Sequence, residues 1–396
     1  MMIAVMGAPP AKNATPSASA SPLTTLSPHM LVQVDTGSQG CVINVGNLYT
    51  DGKYTVEYET IDVPNLVNLN GSTESKNTTY MKPTSISQTN MLDGVQYIGP
   101  GSIEYTSDAN SEYGFYYRVK HLGIGVNKDG TAAAIVENAV VLGIVPKDVM
   151  KSSPSPVTVT GPTKGGPLMM GVGFGRPNMG TNTLVNACTQ DGTSLYPSYL
   201  INKDGITLGI TPEKLPSAFA FQKLGANPDP KGAAAAQNDG VNPGVFATPV
   251  GTITIVPTNP PKNPPVTLQN STPPMVNIII DTGITFMMMG GGEGVTEGAY
   301  TITISTTVDG QPDPNRPALS YNFNATGPTS AGRAADYPGA LATNYGSGKG
   351  ETLLAPAFVA PRGDKDWTNT GIHVLRGFQL YADAQVGQMG FAPISG

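Results

Sequence analysis

Two copies of the tripeptide Asp-Thr-Gly carry the residues of this chain that are best suited to chemistry. They begin at Asp35 and at Asp281, and each follows directly on a run of strand-forming residues. The first copy continues into Ser38 and the second into Ile284. Average residue usage gives roughly 0.1 chance copies of such a tripeptide in a chain of this length. Two copies in the same setting therefore predict a duplicated site.

Each aspartate is predicted to lie where a strand enters a tight turn. The strand end holds the carboxylate rigidly, and the glycine lets the backbone of a second, similar turn come very close. Two carboxylates that meet in this way cannot both ionise, because like charges repel at short range. The pair then holds one proton and offers an acid and a base together. We expect Asp35 and Asp281 to activate a water molecule against an amide carbonyl.

These motifs resemble those of the pepsin-like aspartic peptidases, in which each of two lobes contributes one Asp-Thr-Gly. Residues 168–175 resemble the hydrophobic-hydrophobic-Gly segment of the first lobe. Residues 371–383 and 390–393 resemble the closing strands near the C-terminus, and residues 199–201 and 205–210 resemble the strands that open the second lobe. The resemblance spans nearly the whole chain, and its specific parts are the tripeptides and the C-terminal block.

The resemblance implies an all-β, bilobal pepsin-like fold with two pseudo-twofold-related β-barrel-like lobes and an active-site cleft between them. The first lobe would span residues 1–190 and the second residues 191–396. The implied activity is that of an aspartic endopeptidase that cleaves between hydrophobic residues at acidic to mildly acidic pH. One alternative is a catalytically silent module that binds protein or carbohydrate. Another is a glycosidase that uses two carboxylates.

The resemblance also implies the roles of four residues in the two tripeptides. Asp35 and Asp281 would form the catalytic dyad, hold the nucleophilic water and pass its proton to the leaving amine. Thr36 and Thr282 would hydrogen-bond across the pseudo-twofold axis and brace the two turns. The implied reaction has no covalent intermediate.

The residues that follow complete the implied site and contain a departure from the family pattern. Gly37 and Gly283 would permit the close approach, and Ser38 would donate its hydroxyl to the first aspartate. Ile284 stands where most members have Ser or Thr, and Thr285 is predicted to face the other way. We therefore expect the second aspartate to lack a hydroxyl donor, to have a raised pKa and to give a less acidic optimum. The other interpretation is that Ile284 fills core and leaves the dyad unchanged. Ile284 and Thr285 are also predicted to contact substrate.

A β-hairpin that closes over substrate is a further feature implied by the resemblance. Residues 102–106 and 114–119 can form its two strands. Tyr105 is predicted to be the hairpin tyrosine that contacts substrate, with Tyr97 and Tyr113 as alternatives. Plain packing on the strands is the other interpretation of these tyrosines.

Composition predicts an all-β protein and disfavours several partners. The 396 residues include 48 Gly and 36 Pro, which separate short Val-, Ile- and Tyr-rich stretches. With 13% charged residues and a net charge of −6, the chain lacks the basic patches that bind nucleic acid or anionic membranes. No run approaches the roughly 20 apolar residues of a membrane helix. We expect a monomer that binds peptide or protein substrates and pepstatin-type inhibitors.

The cysteines and histidines predict neither a disulfide framework nor a metal site. Cys41 and Cys188 are the only cysteines, and we expect buried thiols rather than a bridge. The three histidines lie far apart without ligand spacing, which disfavours zinc. We predict no metal and no cofactor, and we expect His373 on a C-terminal strand.

Residues 1–10 resemble the strand and Gly-x-Pro-Pro turn that precede the first tripeptide in the family. No cationic segment or cleavage site of a signal peptide is visible there. We expect that the chain begins inside the fold, after a trimmed signal peptide or propeptide or at a misplaced start. Low charge and polar loops favour a secreted or periplasmic protein.

Overall fold

The computed structural model describes residues 1–7, 23–64, 77–105, 110–151, 154–161, 168–174, 182–202, 204–226, 246–257, 275–289, 298–308, 311–328, 340–344, 354–356, 358–361 and 367–394. Three predicted features lie outside these residues. They are the turn at residues 8–10, the hairpin tip at residues 106–109 and Gly175.

The protein belongs to the all-β class, as the composition predicted. In the N-terminal half the strands are β1 (Met2–Gly7), β2 (Thr24–Thr25), β3 (Met30–Leu31), β4 (Gln33–Asp35), β5 (Gln39–Asn44), β6 (Lys53–Pro64), β7 (Asn77–Ile86), β8 (Val95–Tyr105), β9 (Asn110–Ile124), β10 (Ala134–Ile144), β11 (Val157–Thr160), β12 (Met169–Val172) and β13 (Ala187–Cys188). In the C-terminal half they are β14 (Ser198–Asn202), β15 (Gly205–Leu208), β16 (Ala220–Lys223), β17 (Val250–Pro257), β18 (Met275–Ile279), β19 (Met287–Met289), β20 (Gly298–Val308), β21 (Gln311–Pro328), β22 (Ala340–Asn344), β23 (Phe358–Pro361), β24 (Trp367–Asn369), β25 (Phe378–Asp383) and β26 (Gln388–Pro393). Short helices within the described ranges are α1 (Lys147–Lys151) and the 3₁₀ helices Val45–Leu48, Thr50–Gly52, Pro212–Lys214 and Ile372–Arg376.

The strands of the N-terminal half form two sheets. The larger has the order β2-β1-β9-β10-β5-β12-β4, with β3, β8 and β13 paired to its members, and the smaller has the order β11-β6-β7. Along β9, Phe115, Tyr117 and Val119 are fully buried, whereas Tyr116 and Arg118 between them are partly exposed. This alternation arises because successive strand residues face opposite sides of a sheet. The core of this half therefore lies against one face of β9.

The strands of the C-terminal half form a five-stranded sheet and a closed barrel. The sheet has the order β15-β14-β25-β26-β16, and the barrel has the order β17-β18-β24-β19-β23-β22-β21-β20. Inside the barrel the rings of Tyr300 and Phe323 stack with centroids 5.2 Å apart. Strands β14 and β15 form the hairpin expected at residues 199–210, with Tyr199 opposite Leu208.

The same three-strand arrangement occurs twice, and each copy holds one Asp-Thr-Gly. In the first copy β4 ends at Asp35 and pairs in parallel with β12, which pairs antiparallel with β5. In the second copy β18 leads to Asp281 and pairs in parallel with β24, which pairs antiparallel with β19. The registers agree, because Met169 and Asn369 each lie opposite the residue two positions before the aspartate. The chain therefore contains an internal repeat at the level of strand pairing.

His373 lies in the 3₁₀ helix Ile372–Arg376 and not on a strand, so the prediction for this residue was wrong. Gly371 before it has a φ of 73°, which ends the extended run that began in β24. His373 is 1% exposed, its Nε2 lies 2.9 Å from the hydroxyl of Tyr321, and its Nδ1 has no hydrogen-bonding partner among the described residues. Burial, followed by the charge of Arg376, lowers the pKa of His373 to about 3.

We expect the substitution His373→Gln to change how stability depends on pH. A histidine with a lower pKa in the folded state contributes stability above its unfolded pKa and loses it as the pH falls. For His373 this loss occurs between pH 6.5, its ordinary pKa, and about pH 3, its pKa in the folded state. Between about pH 7 and about pH 4 the wild type should lose more free energy of unfolding than the variant, as measured by denaturant unfolding. Identical pH dependence in the two proteins would contradict this account.

Candidate active site

Asp35 and Asp281 lie side by side, one from each copy of the repeated strand arrangement. Each is 7% exposed. A Cβ atom placed on Gly37 would come 2.2 Å from Cγ of Asp281, and one placed on Gly283 would come 2.8 Å from Cγ of Asp35. Contacts under 3.0 Å force the neighbouring atoms to shift. The carboxyl groups can therefore meet only because both turns have glycine at this position.

Thr36 and Thr282 join the two turns by reciprocal hydrogen bonds. The N–H of Thr36 donates to Oγ1 of Thr282 at 3.0 Å, and the N–H of Thr282 donates to Oγ1 of Thr36 at 3.1 Å. Each hydroxyl then donates to a carbonyl oxygen of the other copy, Thr36 to Ile280 and Thr282 to Val34. Both threonines are buried. The network fixes the distance between the two strands that carry the aspartates.

Removal of one threonine hydroxyl should weaken the whole fold. The substitution Thr282→Val keeps the side-chain shape but leaves the N–H of Thr36 and the carbonyl of Val34 without a partner. We expect it to lower the free energy of unfolding by about 2–4 kcal/mol, because each buried group left unsatisfied costs about 1–3 kcal/mol.

The control for this prediction is Thr282→Ser, which keeps the hydroxyl and removes a methyl group. It should cost about 1 kcal/mol. Urea unfolding of the three proteins measures the difference. A Thr282→Val variant as stable as the wild type would show that the hydroxyl contributes nothing.

Gln33 adds a hydrogen bond between the copies that the sequence analysis did not identify. Its Nε2 donates to the carbonyl oxygens of Gly283 at 3.0 Å and Thr282 at 3.3 Å. Gln33 lies in β4, two residues before Asp35 and therefore on the same side of the strand. The available signal was one polar residue within the apolar run of residues 31–34 that precedes Asp35.

Asp35 accepts hydrogen bonds from residues of its own turn. The hydroxyl of Ser38 donates to Oδ2 at 2.5 Å, and the N–H of Gly37 donates to Oδ1 at 2.7 Å. Oγ of Ser38 also lies 3.4 Å from Sδ of Met169 in β12. The serine hydroxyl can thus direct its hydrogen either to the carboxylate or to the sulfur.

Asp281 accepts one hydrogen bond from its own turn and one from a different strand. The N–H of Gly283 donates to Oδ1 at 2.7 Å, and the amide Nδ2 of Asn369 donates to Oδ2 at 2.5 Å. Ile284 is partly exposed and Thr285 is exposed. We predicted that Asp281 would lack a hydroxyl donor, and the structure provides an amide donor in its place.

Asn369 is the site residue that the sequence analysis missed. It stands 88 residues after Asp281 and lies at the register position that Met169 occupies in the first copy. The available signal was Gly371, which follows Asn369 by two residues just as Gly171 follows Met169. Local sequence could not reveal the contact, because it depends on the pairing of β24 with β18.

The pKa of Asp35 is raised, and the raised pKa expected at Asp281 stays a prediction. Burial is the main cause, followed by the charge of Asp281 and a hydrogen bond with it, and together they raise the pKa of Asp35 to about 7. The bonds from Ser38 and Gly37 act in the opposite direction. The pair therefore holds one proton up to about neutral pH.

We expect Asp35→Asn to become more stable than the wild type as the pH rises. A carboxyl whose pKa is raised in the folded state contributes full stability below its unfolded pKa and loses it as the pH rises through the folded pKa. The shift from 3.8 to about 7 sets an upper bound of about 4 kcal/mol, at about 1.4 kcal/mol per pKa unit. Thermal or urea unfolding at about pH 4 and about pH 8 checks this.

The control for Asp35→Asn is the exposed Asp51→Asn, which should follow the wild type at both pH values. A gain of Asp35→Asn over the wild type that is the same at both pH values would contradict the assigned pKa shift.

Strands β8 and β9 form the antiparallel hairpin expected near the dyad. Tyr105 ends β8, and the residues between the strands, 106–109, lie outside the described part of the chain. Tyr97 packs its ring 5.8 Å from that of Tyr117, in the buried core. Tyr113 is partly buried and lies opposite Ser102 in the hairpin. Core packing therefore accounts for Tyr97.

Several other expectations concern residues outside the dyad. Cys41 and Cys188 are buried free thiols, which confirms the expectation of no bridge. Among the residues described, no group of three or more His, Cys, Asp or Glu is placed to hold a metal ion. No helix in the described part of the chain has the length and apolar character needed to cross a membrane.

Comparisons with known proteins were made by family model and by sequence. No protein-family model and no curated protein sequence matches the chain. The geometry of the site therefore has to support any functional assignment.

Proposed function

We propose that the protein is an aspartic endopeptidase with a bilobal pepsin-like fold, whose lobes comprise residues 1–190 and 191–396. One observation carries the proposal. Two buried carboxyl groups, Asp35 and Asp281, meet at the ends of equivalent strands, and each lies against the glycine of the opposite turn. Such a pair holds a single proton, which is the state that peptide hydrolysis by water requires.

The proposed reaction needs only the dyad and one water molecule. The ionised carboxylate takes a proton from the water as its oxygen attacks the amide carbon, and the protonated carboxyl gives its proton to the carbonyl oxygen. The resulting diol collapses when the leaving nitrogen receives a proton from the dyad and the C–N bond breaks. A hydroxyl of the diol then gives its proton to the dyad as the carboxyl product forms. One water is consumed, and the dyad returns to its singly protonated state.

The proposed enzyme prefers hydrophobic residues next to the scissile bond, and an apolar cluster lies beside Ser38. Its buried members are Val42, Ile103, Leu142, Ile144 and Met169. Met169 contacts Ser38, so the cluster extends to the hydrogen-bonding partner of Asp35. Ile103 belongs to β8, so the hairpin packs on the same cluster. The cluster is buried, so it fixes the hairpin next to the first Asp-Thr-Gly turn.

Further contacts to substrate are part of the proposal. Tyr105 on the hairpin and Ile284 and Thr285 after the second tripeptide are the proposed substrate-contacting residues. Pepstatin-type inhibitors would occupy the same site. We further propose that the protein acts as a monomer outside the cytoplasm.

The two alternative functions receive less support from the geometry. A silent binding module was favoured by Ile284, but Asn369 provides the donor that Ile284 lacks. A glycosidase needs its carboxyl groups about 5 Å or more apart, to leave room for the sugar or for a water. Asp35 and Asp281 instead lie so close that only glycine fits between each carboxyl group and the opposite turn.

The test is cleavage of an unfolded protein substrate between about pH 2 and about pH 8, with and without pepstatin. The wild type should cleave, pepstatin should inhibit, and activity should persist to about pH 6–7 because of the proton on Asp35. Asp35→Asn and Asp281→Asn should each lower kcat by about 10³-fold or more.

The exposed Asp51→Asn serves as the matched control and should cleave like the wild type. Its carboxylate forms only a surface ion pair with Lys53. A folded wild-type chain without cleavage at any pH, or full activity in either dyad variant, would refute the proposal.

A further inference from the structure

We infer that Asn369 is a positioning residue that keeps Asp281 as the ionised member of the dyad, so that Asp35 carries the shared proton. The inference rests on the proposed peptidase activity for its consequence in the reaction. Its structural basis is the difference between the hydrogen-bonding partners of the two carboxyl groups.

The two carboxyl groups have equivalent partners on one oxygen and different partners on the other. Oδ1 of Asp35 and Oδ1 of Asp281 each accept the N–H of the glycine two residues on, at 2.7 Å in both copies. Oδ2 of Asp35 accepts a serine hydroxyl, whereas Oδ2 of Asp281 accepts the amide of Asn369. Among these direct partners, the two carboxyl groups therefore differ only in the donor to Oδ2, which is Ser38 for Asp35 and Asn369 for Asp281.

The amide of Asn369 can act toward Asp281 only as a donor. Its Oδ1 accepts the N–H of Gly371 at 2.9 Å, which fixes the amide orientation and directs Nδ2 to the carboxylate. An amide NH₂ group donates hydrogen bonds but cannot accept one. Asn369 is 2% exposed, so bulk water does not compete for its N–H groups. A buried donor of this kind favours the charged form of the carboxyl that it contacts.

Ser38 imposes no such restriction on Asp35. A serine hydroxyl both donates and accepts, and its hydrogen rotates to suit the partner. When Asp35 is ionised, Ser38 donates to it. When Asp35 is protonated, Oγ of Ser38 can accept a hydrogen bond from the carboxyl O–H and turn its own hydrogen toward Sδ of Met169, 3.4 Å away. Asp35 is therefore the carboxyl whose environment accommodates both protonation states.

The side-chain donors of the two copies come from different elements, Ser38 from the turn after β4 and Asn369 from β24. Ser38 is the third residue after Asp35, and the equivalent residue in the second copy is Ile284. Asn369 takes the register position of Met169. Each copy thus pairs one polar with one apolar side chain, but in exchanged positions. A hydroxyl at position 284 should consequently be able to replace the amide at position 369.

Few other titratable groups adjoin the dyad in the described residues. On β4, β5, β12, β18, β19, β24 and the following 3₁₀ helix they are Cys41, His373 and Arg376. Burial raises the pKa of the Cys41 thiol to about 12 and lowers the pKa of His373, so both are neutral at mildly acidic pH. Arg376 is exposed, and water screens its charge. The aspartates and their donors therefore dominate the titration.

The assignment gives each aspartate a separate role in the proposed reaction. Asp281 takes the proton from water as the new C–O bond forms. Asp35 gives its proton to the carbonyl oxygen, which becomes a hydroxyl. Asp281 then delivers its acquired proton to the leaving nitrogen as the C–N bond breaks, and the hydroxyl returns a proton to Asp35.

The direct test is a carbon-13 NMR titration of protein labelled at the aspartate carboxyl carbons. Asp35→Asn and Asp281→Asn identify the two resonances. In the wild type the Asp281 resonance should remain at its ionised position while Asp35 titrates. In Asn369→Leu the titration midpoint of Asp281 should rise by about one pH unit or more, and in Asn369→Leu/Ile284→Thr it should return toward the wild-type value.

Asn182→Leu is the matched control, because Asn182 is equally buried at 2% exposure and uses its amide for backbone contacts. This variant should lose stability without moving the Asp281 midpoint. If Asn369→Leu does not fold, Ile284→Thr alone provides the test, since a second donor should lower the midpoint. An unmoved Asp281 midpoint in a folded Asn369→Leu or in Ile284→Thr overturns the inference.

Kinetics separate this inference from the proposed function. In Asn369→Leu the acidic limb of the kcat/KM profile should move to higher pH and kcat should fall about 10- to 100-fold, with KM changed less. The added Ile284→Thr should restore both. If the NMR titrations behave as inferred but the wild type cleaves nothing, the proposed function fails and the proton assignment stands. Cleavage with an unshifted acidic limb in Asn369→Leu overturns the assignment alone.

Discussion

The contact between two buried carboxyl groups is the constraint on which the rest of the structure depends. Bringing them together is unfavourable, since burial and mutual repulsion both oppose ionisation. The repeated strand arrangement counters this by holding each aspartate at the end of a paired strand, and the threonine network locks the two strands at a fixed distance. Glycine in each turn removes the side chain that would otherwise separate the carboxyl groups. The cost is reduced by a shared proton and by one backbone and one side-chain donor for each carboxyl group.

The two copies preserve the donors but not the positions of the residues that provide them. Ser38 comes from the turn itself, whereas Asn369 comes from the neighbouring strand. A backbone repeat fixes where a donor is needed, and either the turn or the neighbouring strand can provide it, since Oδ2 of Asp35 accepts from Ser38 and Oδ2 of Asp281 accepts from Asn369. The chemical type of the donor then decides which protonation states of the carboxyl group it can hydrogen-bond. A hydroxyl can bond to both the ionised and the protonated form, whereas an amide NH₂ favours the ionised form. Symmetric strand pairing is therefore compatible with two aspartates that differ in function.

Sequence reasoning reached the parts of the site that are encoded locally. Asp35, Thr36 and Ser38 lie within four residues, and the strand before them is visible in the same window. Asn369 depends on which distant strand pairs with β18 and in what register, and no local pattern contains that information. His373 was assigned to a strand because residues 371–383 resemble the closing strands of the family, but the positive φ of Gly371 turns the chain there. The all-β class followed from composition, since Gly and Pro separate stretches of strand-forming residues throughout the chain.

Asp35 and His373 make the stability of the protein depend on pH in opposite directions. As the pH falls, Asp35 gains a proton more readily in the folded state, which stabilises it between about pH 7 and about pH 4. His373 resists protonation in the folded state, which destabilises it between about pH 6.5 and about pH 3. Where the two pH windows overlap, the folded state holds about one proton more than the unfolded state at Asp35 and about one fewer at His373. The two contributions to the pH dependence of stability therefore largely cancel. The overlap lies at mildly acidic pH, where the dyad also holds its single proton. The combined contribution of these two buried groups to stability therefore changes little with pH in the range in which the proposed reaction would proceed.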